Sequence, residues 1–517
     1  MTGTPTPTGA AALAAIPAPG PPVVLDGSRL SGTQVAAVAR GGVPVLVAAA
    51  AVERVRAAHR VAGEVAGRRP VYGRTTGVGA NRTVTVAAGS DSDGAAAGHG
   101  LRLLRSHAVG AGPLLDRVAV RAMLVVRLNQ LATAGSGVDP RLLGVLTEAL
   151  NRGLVPPVHR YGAIGTGDLP ALAATALCIL GERPWSGGSM APHPIGSLDA
   201  LAFINSNAAT VGEAALACHD LQRLLDAGLV VAALSFTALG GSPEPYAAAV
   251  HAARPGSGQG AAAARLRALL PTPGAGSGRV QDPFCLRALP QVHGAALDAA
   301  SELEAMVAAE MNAAGENPLV DTSAGDVFHH GNFLTASLTL ALDKARAALF
   351  QTATLSAART AALMEPALTG LRPFLADGPA ASSGLMMLEY VANSALADLR
   401  LHATPATLAS AVLSRGVEEH ASFATQAAWR LTASLPAYEA VLACELVPAI
   451  RALRLKGNGG SQNLHGSHRL HAVLACAAEA LDPRTEDRPL DPDLAAATGL
   501  LLELAEFAEM EAAPGPQ

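Results

Sequence analysis

The feature that most constrains the fold is a stretch from Leu334 to Leu363 that contains no glycine or proline. About thirty residues at the helical rise span roughly 45 Å, so this stretch predicts one very long helix. Alanine recurs along the whole chain, and it combines the best helix propensity with a side chain small enough for close helix packing. Half of the residues are apolar and only 3% are aromatic. Long helices of this kind predict a mostly α protein with a central helical bundle.

Composition limits the cellular locations and the binding partners that we expect for this protein. The chain has 517 residues and a net charge of −5, with charges of both signs scattered, which excludes a nucleic-acid footprint. No apolar run reaches membrane-spanning length without glycine, proline or charge. Residues 1–22 are rich in proline, alanine, threonine and glycine without a basic start, and this predicts a disordered tail and not a signal peptide. We therefore expect a cytoplasmic protein that binds neither nucleic acid nor membrane.

The cysteines are odd in number and far apart in mostly apolar surroundings, which indicates reduced packing residues, with a catalytic role the lesser alternative. We predict neither disulfides nor a metal site from them: Cys178, Cys218, Cys285, Cys444 and Cys476.

The most unusual loop runs from Gly162 to Asp168 and places Thr166 between Gly165 and Gly167. A Gly-Thr-Gly tripeptide can cyclise when the Gly167 amide nitrogen attacks the Gly165 carbonyl, and loss of water from Thr166 then gives an electrophilic, conjugated imidazolone. Glycine on both sides permits the tight bend that closure needs. A helix-entry turn and a phosphate-cradling loop are the alternatives that the residues leave open.

The run from Gly162 to Leu169, followed by Ala171-Leu172-Ala173, resembles the signature of the histidine and phenylalanine ammonia-lyase family. In that family an Ala-Ser-Gly tripeptide, within Gly-Ser-x-Gly-Ala-Ser-Gly-Asp-Leu, forms a methylidene-imidazolone prosthetic group. Counted back from Asp168, Gly165-Thr166-Gly167 stands at the position of Ala-Ser-Gly, after a lead-in that is one residue shorter. The only cofactor that the resemblance implies is an imidazolone formed by these three residues themselves.

Two further motifs carry the resemblance. The stretch 72–79 resembles the family's Tyr-Gly-x-x-Thr-Gly-x-Gly, and it gives Tyr72 the role of catalytic base. The stretch 281–287 resembles Gln-Asp-x-Tyr-Ser-Leu-Arg, in which the arginine grips the substrate carboxylate, and it assigns Gln281 and Arg287 to substrate binding. A guanidinium suits that task because its planar fork meets a carboxylate with two parallel hydrogen bonds. Phe284 replaces the family's tyrosine and lacks its hydroxyl group.

Five weaker matches complete the expected site. Asn205 stands for the asparagine that holds the carboxylate or the imidazolone carbonyl, with a simple cap as the alternative that the neighbouring motifs disfavour. His107 follows Ser106 as in the histidine-using branch, with a bundle-interface histidine as the alternative. Phe333 would face the substrate ring, Glu418 matches the active-site glutamate, and Val417 replaces the glutamine before it.

The resemblance covers roughly residues 30 to 455. It implies a homotetramer whose active sites combine loops from several subunits. We expect an N-terminal region over residues 23–235, with the base loop and the Gly-Thr-Gly loop, and a long-helix region over residues 236–517.

The resemblance implies elimination of ammonia from a carboxylate-bearing amino acid, histidine-like or aromatic, to give an α,β-unsaturated acid. One alternative is an enzyme without the prosthetic group that uses the same pocket, with Tyr72 as base, for another elimination, addition or cyclisation. A catalytically silent homologue is a third, disfavoured because Tyr72, Asn205, Arg287 and Glu418 are all present. Dehydrated threonine would yield an ethylidene group with a methyl on the carbon under attack. We therefore predict that Thr166 is unmodified or at best a poor electrophile.

Overall fold

A computed structural model describes residues 20–86, 98–270, 279–457 and 468–508, so most of the predicted tail lies outside the described residues. The described chain divides into two compact units. The first takes its residues from Met1–Gly162, Leu169–Gly212 and Met311–Gly331, and the second from Ala163–Asp168, Glu213–Glu310 and Asn332–Gln517.

The first unit combines short helices with three two-stranded sheets. Its parallel pair is β1–β2, and its antiparallel pairs are β3–β4 and β5–β6. The elements in chain order are β1 (Val23–Leu25), α1 (Gly32–Gly41), β2 (Val45–Val47), α2 (Ala49–Ala66), α3 (His99–His107), β3 (Ala111–Leu114), α4 (Arg117–Ala132), α5 (Arg141–Asn151), β4 (His159–Tyr161), α6 (Leu169–Ile179), α7 (Ala200–Ile204), the start of α8 (Ala208–Leu239), β5 (Leu319–Asp321) and β6 (Asp326–Phe328).

Local sequence explains these boundaries. Helix α1 begins after a capping box between Ser31 and Gln34, and it ends at Gly42, whose φ of 66° is the left-handed conformation that favours glycine. The turn that contains Gly325 connects β5 and β6, in which Asp321 pairs with Asp326.

The second unit contains the long helices. Its elements are the rest of α8, then α9 (Ala248–Ala253), α10 (Ser257–Leu269), α11 (Phe284–Arg287), α12 (Leu289–Met311), α13 (Ala336–Met364), α14 (Pro366–Thr369), α15 (Met387–His402), α16 (Ala424–Leu455), α17 (His468–Ala480) and α18 (Asp491–Glu506). The 29-residue helix α13 confirms the stretch predicted from Leu334 to Leu363. Helices α13, α15 and α16 pack against one another, so the predicted bundle of long helices is confirmed.

Helix α16 lies in the predicted long-helix region, but the sequence did not indicate its bounds. Its 32 residues contain Pro436 and Pro448, each of which lacks the amide hydrogen that an inner helical position normally donates. Residues Val441–Leu453 of this helix are all buried, and such extensive packing outweighs the local cost of the prolines.

Two segments, Ala200–Leu239 and Ala424–Leu455, are long and apolar enough to cross a membrane by length and composition alone. The interior of the protein covers 83% and 72% of their most apolar windows, respectively. Burial of this extent is what the core helices of a globular bundle show.

A buried ion pair joins helices α13 and α16 in the long-helix core. Arg359 on α13 donates from Nε to Glu445 Oε1 at 2.6 Å and from Nη2 to Oε2 at 2.8 Å. Ser235 on α8 donates to the same Oε1 at 2.7 Å, and Ser356 donates to Oε2 at 2.6 Å. Each carboxylate oxygen thus receives two donors, which is the condition under which a buried charge is tolerated.

Candidate active site

The Gly-Thr-Gly loop is held by the residues that begin helix α16. The carbonyl oxygen of Ala163 accepts from Gln426 Nε2 at 2.9 Å, and that of Ile164 accepts from the Phe423 amide at 2.7 Å. The carbonyl oxygen of Gly165 accepts from Ser422 Oγ at 2.9 Å. Three consecutive carbonyls are therefore bound by donors at the amino end of a 32-residue helix, where the helix dipole is positive.

Gly165 sits so close to this helix start that no larger residue fits. A Cβ atom at this position would lie 2.0 Å from Ser422 Oγ and 2.8 Å from the Ala424 amide nitrogen. The φ of Gly165 is +83°, a left-handed backbone that L side chains rarely adopt. The alanine that the family has at this position is thus excluded, and glycine is what lets this shorter loop lie against Ser422.

The loop contains the groups that imidazolone formation needs. Gly165 offers the carbonyl, Gly167 the amide nitrogen and Thr166 the β-hydroxyl, and both glycines have left-handed φ values, +83° and +114°. The Gly165 carbonyl is buried and polarised by a hydroxyl donor. These residues fit backbone closure, and the group that results from Thr166 would carry an extra methyl.

Arg287 is aimed by the segment that precedes it. Its Nε donates to the Asp282 carbonyl at 2.9 Å, and its guanidinium lies 5.2 Å from the centroid of the Phe284 ring. Asp282 is buried and fixed in turn, since its carboxylate accepts from Arg279 Nε and from the Ser242 amide. Among the described residues, no carboxylate pairs with Arg287. The two terminal nitrogens of its half-buried fork are therefore directed by the backbone while remaining open to a ligand.

The other predicted residues of the second unit are exposed or half-buried. Gln281 is exposed, and Phe284 at the start of α11 is 67% exposed. Val417 and Glu418 are half-buried, and the backbone of Glu418 pairs with that of Leu413 in an isolated antiparallel bridge.

Phe333 belongs to a segment that reaches the Gly-Thr-Gly loop. Phe333 itself is half-buried, while Thr335, two residues later, is buried. Thr335 Oγ1 lies 3.2 Å from Ser422 Oγ, the group that holds the Gly165 carbonyl. The second unit thus brings the Phe333 segment, the residues after Glu418 and the loop together through hydrogen bonds.

Tyr72 in the first unit is fixed at both its backbone and its hydroxyl group. Its amide donates to His329 Nε2 at 3.1 Å, and its phenolic oxygen accepts from the Gly79 amide at 2.8 Å. A donor to the phenolic oxygen stabilises the phenolate form, as a base requires. Burial, with the charges of Arg69 and His330, lowers the pKa of His329 and keeps its ring neutral, which agrees with its role as acceptor.

Asn205 and His107 have partners within the first unit. Asn205 is buried, and its Nδ2 donates to the Asn317 carbonyl at 2.7 Å. The buried pair of Arg127 and Glu316 holds the preceding segment, because Arg127 also donates to the Phe203 and Ala202 carbonyls. His107 ends α3 with its Nδ1 at 2.9 Å from the Leu103 carbonyl, so one ring nitrogen is committed to its own helix.

One acidic cluster in the first unit has the composition of a metal site. The ligand atoms of His59, Asp139 and Asp199 lie within 4.8 Å of one another. His59 Nδ1 lies 3.2 Å from the Gly137 carbonyl and 3.5 Å from Asp199 Oδ1, so this ring nitrogen already has contacts within the first unit. Asp139 pairs with Arg141, and Asp199 Oδ1 accepts from the Asp139 amide at 3.1 Å. These contacts account for the closeness of the three side chains.

The cysteine thiols do not have the properties of nucleophiles. Burial raises the pKa of Cys178, Cys218 and Cys444 to about 12. A reactive thiol needs the opposite shift, and all five cysteines are free, in agreement with their interpretation as packing residues.

Comparison with known proteins identifies the family and the fold. Residues 30–479 match the sequence family described as aromatic amino acid lyase. The chain belongs to this family. It is 36% identical to a probable histidine ammonia-lyase from Halobacterium salinarum over 93% of this chain and 96% of that protein.

Two solved structures of the family show the same fold. Ergothionase from Treponema denticola superimposes with a TM-score of 0.85 at 25% identity, covering 94% of this chain and 99% of that one. Tyrosine aminomutase from Streptomyces globisporus gives 0.85 at 26% identity, covering 94% and 97%. Members of the family use a self-formed methylidene-imidazolone prosthetic group.

Sequence reasoning missed the residues that support the candidate site: Ser422, Thr335, Asp282 and Gly79. Two of them lie inside or beside quoted motifs, since Asp282 is the second residue of 281–287 and Gly79 the last of 72–79. Ser422 follows Glu418 by four residues, but nothing in its local sequence indicates that it contacts Gly165.

Proposed function

We propose that this protein is a carbon–nitrogen lyase that eliminates ammonia from a histidine-like or aromatic α-amino acid. The observation that carries the proposal is the open fork of Arg287: among the described residues, its guanidinium donates a hydrogen bond only from Nε, to the Asp282 carbonyl. Such a fork suits a substrate carboxylate because it can donate two parallel hydrogen bonds. Membership of the family and its histidine ammonia-lyase relatives support the reaction class.

The roles proposed for the residues are those that the resemblance to the family assigns to them. Arg287 and Asn205 hold the substrate carboxylate, and Gln281 contributes an amide to the same end of the ligand. Tyr72 removes a proton from the β-carbon as its phenolate, which the Gly79 amide stabilises. Glu418 acts as the second charged group of the site. His107, Phe333, Phe284 and Val417 are proposed to contact the substrate side chain.

The prosthetic group of the family, when present, supplies an electrophile that makes the substrate amine a better leaving group. In this chain Gly165, Thr166 and Gly167 would hold it. A proton on the β-carbon is too weakly acidic for a tyrosine acting alone, so the state of Thr166 sets how much Tyr72 can achieve.

A second candidate is a lyase or cyclase that works without an imidazolone. Two observations favour it. Thr166 stands in place of serine, and Phe284, exposed and without a hydroxyl, stands in place of tyrosine. In this alternative Arg287 still binds a carboxylate and Tyr72 still acts as base, while the amine is not activated.

We further propose that the protein works in the cytoplasm as a homotetramer. The second unit exposes several large apolar side chains on α13, α15 and the segment after α15, each 53–82% exposed: Leu340, Met387, Tyr390, Leu401, Leu408 and Val412. Exposed apolar groups of this size, present together, are typical of surfaces that self-associate.

Ammonia release measured with histidine, phenylalanine and tyrosine tests the proposal. We expect turnover of at least one of them, and Arg287→Lys should weaken binding of the same substrate by about 10- to 100-fold, because an ammonium cannot reproduce the fork. Arg484→Lys, at an exposed arginine paired with Asp482, is the matched control and should change nothing. Unchanged affinity in Arg287→Lys would contradict the assigned carboxylate site.

A further inference from the structure

Ser422 has a hydrogen-bond arrangement with a defined direction. Its Oγ carries one proton, and the contact with the Gly165 carbonyl at 2.9 Å uses it, since a carbonyl can only accept. The same Oγ accepts from the Ala424 amide at 3.3 Å. In its contact with Thr335 Oγ1 at 3.2 Å, Thr335 must therefore be the donor. The chain of donors runs from Thr335 to Ser422 to the carbonyl of Gly165.

This arrangement of hydroxyl groups is buried. Ser422 is 4% exposed and Thr335 is 1% exposed. The Gly165 carbonyl accepts this hydrogen bond, and its carbon is the atom that the Gly167 nitrogen must attack for the backbone to close. We propose that Ser422, supported by Thr335, is the positioning residue that makes the Gly165 carbonyl electrophilic enough for the loop to close. The inference concerns the same site and rests on the proposed function.

The closure step balances without any further reactant. The Gly167 nitrogen forms a bond to the Gly165 carbonyl carbon, and its proton moves to the carbonyl oxygen. That oxygen leaves as water with the amide proton of Thr166, and a carbon–nitrogen double bond remains. A second water leaves from Thr166, formed from its Cα hydrogen and its hydroxyl group. The chain loses two waters, and nothing is oxidised or reduced overall.

Ser422 helps where charge develops. When the Gly167 nitrogen attacks, negative charge grows on the Gly165 oxygen, and a donor already placed at that oxygen stabilises it without reorganisation. The positive amino end of α16 adds a field of the favourable sign. Donation from Thr335 strengthens the Ser422 hydroxyl as a donor, because hydrogen bonds in a chain polarise one another.

Thr166 was expected to be either unmodified or a poor electrophile, and this proposal favours the second outcome. Closure takes place, and the product is the ethylidene form. Its methyl group hinders attack on the carbon that carries it. The loop is then modified but is a weaker electrophile than the methylidene group of the family.

Intact-mass measurement of the full chain, followed over time after synthesis in a cell-free system, tests the proposal without relying on activity. We expect the unaltered chain to lose the mass of two waters and to gain near-ultraviolet absorbance from a conjugated imidazolone. Ser422→Ala should slow the mass loss by about 100-fold or more, the range seen when one oxyanion donor is removed. Thr335→Val, which keeps the shape and loses the hydroxyl, should slow it roughly fivefold. Thr335→Ser keeps the hydroxyl and should close at the normal rate.

The outcomes separate this inference from the proposed function. Ser422→Ala that closes as fast as the unaltered chain, or an unaltered chain that keeps its full encoded mass, overturns the role of Ser422. Ammonia release by a chain of full mass leaves the proposed function standing and this inference refuted. Closure that depends on Ser422 but is not accompanied by ammonia release supports this inference and contradicts the proposed function. Thermal unfolding of each variant checks its folding, and Thr335→Val tests the relay while Ser422 and its contact with Ala424 stay in place.

Discussion

Two arginines of the second unit show how its long-helix core differs from the short helix α11, which ends at Arg287. Arg359 in the core is 1% exposed, and its fork is filled by both oxygens of Glu445. Arg287 is half-buried, and a single backbone carbonyl engages its Nε. An arginine whose fork is filled stabilises the fold and has nothing left to bind. One whose stem is fixed and whose fork is open is prepared for a ligand.

Two tyrosines differ in the opposite sense, because here the candidate-site residue is the one whose side chain is bonded. Tyr438 lies in the core with a buried hydroxyl that has no partner among the described residues, whereas Tyr72 has its phenolic oxygen bound by a backbone amide. Changes in the core should therefore alter stability and spare turnover. Changes at the candidate site should do the reverse.

The largest effect is expected from Tyr72→Phe, which removes the proposed base. Turnover should fall by about 10²- to 10⁴-fold, the usual contribution of a general base, while the melting temperature stays close to that of the unaltered protein. Tyr438→Phe removes the buried core hydroxyl and should leave the rate unchanged. Ammonia release and thermal unfolding measured on both variants decide the point. A Tyr72→Phe enzyme at full rate would move the base role elsewhere.

Glu445→Ala should have the largest effect on stability. It leaves Arg359 buried without a countercharge, which costs about 3–5 kcal/mol of unfolding free energy. Glu302→Ala breaks the exposed pair with Lys344 and should cost less than about 1 kcal/mol. Denaturant unfolding of the two variants gives both values. Equal losses would mean that the core pair contributes no more than a surface pair.

Much of this fold could be predicted because local sequence patterns indicate its long helices. Helix α13 lacks breakers, and the hairpin at Gly325 has a glycine turn between apolar residues. The continuity of helix α16 could not be predicted, because Pro436 and Pro448 argue locally against it and only the burial of the helix favours it. The strand pair β1–β2 was missed because each strand has only three residues.

The candidate site was predictable where chemistry and spacing coincide in one motif, as at Arg287 and the Gly-Thr-Gly loop. The supporting contacts were not, because they join distant parts of the chain. Ser422 lies 257 residues from Gly165, and Thr335 lies 87 residues from Ser422. No local pattern carries the information that these hydroxyl groups meet.

A smaller effect is expected from Gly165→Ala, which restores the residue of the family. The new Cβ would meet Ser422 Oγ and the Ala424 amide, and the backbone would stay at a strained φ of +83°. We expect a loss of about 1–3 kcal/mol and displacement of the loop from α16. Gly499→Ala, in open space on α18, is the control and should be neutral or slightly stabilising. Thermal unfolding and intact mass report the two consequences, and unchanged values in Gly165→Ala would show that the loop can shift freely.

The smallest effect concerns pH at the Tyr72 loop. His329 accepts from the Tyr72 amide through Nε2, and it can do so only while its ring is neutral. Burial, together with the charges of Arg69 and His330, lowers the pKa of His329 below its ordinary value of 6.5. Below that value the unfolded chain binds more protons at this group than the folded chain does, so stability is lost as the pH falls and is unaffected above it.

We expect kcat/KM to fall roughly twofold beyond the change due to other groups as the pH drops from about 8 to about 5, because the lost hydrogen bond is only partly buried. His329→Gln keeps an acceptor that does not titrate and should flatten this part of the profile. Parallel pH profiles of the two proteins measure the difference. Identical profiles would show that protonation of His329 does not reach Tyr72. If kcat/KM of the unaltered protein depends on pH more strongly than that of His329→Gln, protonation of His329 does alter the Tyr72 loop, and this loop responds to its surroundings as the rigid core does not.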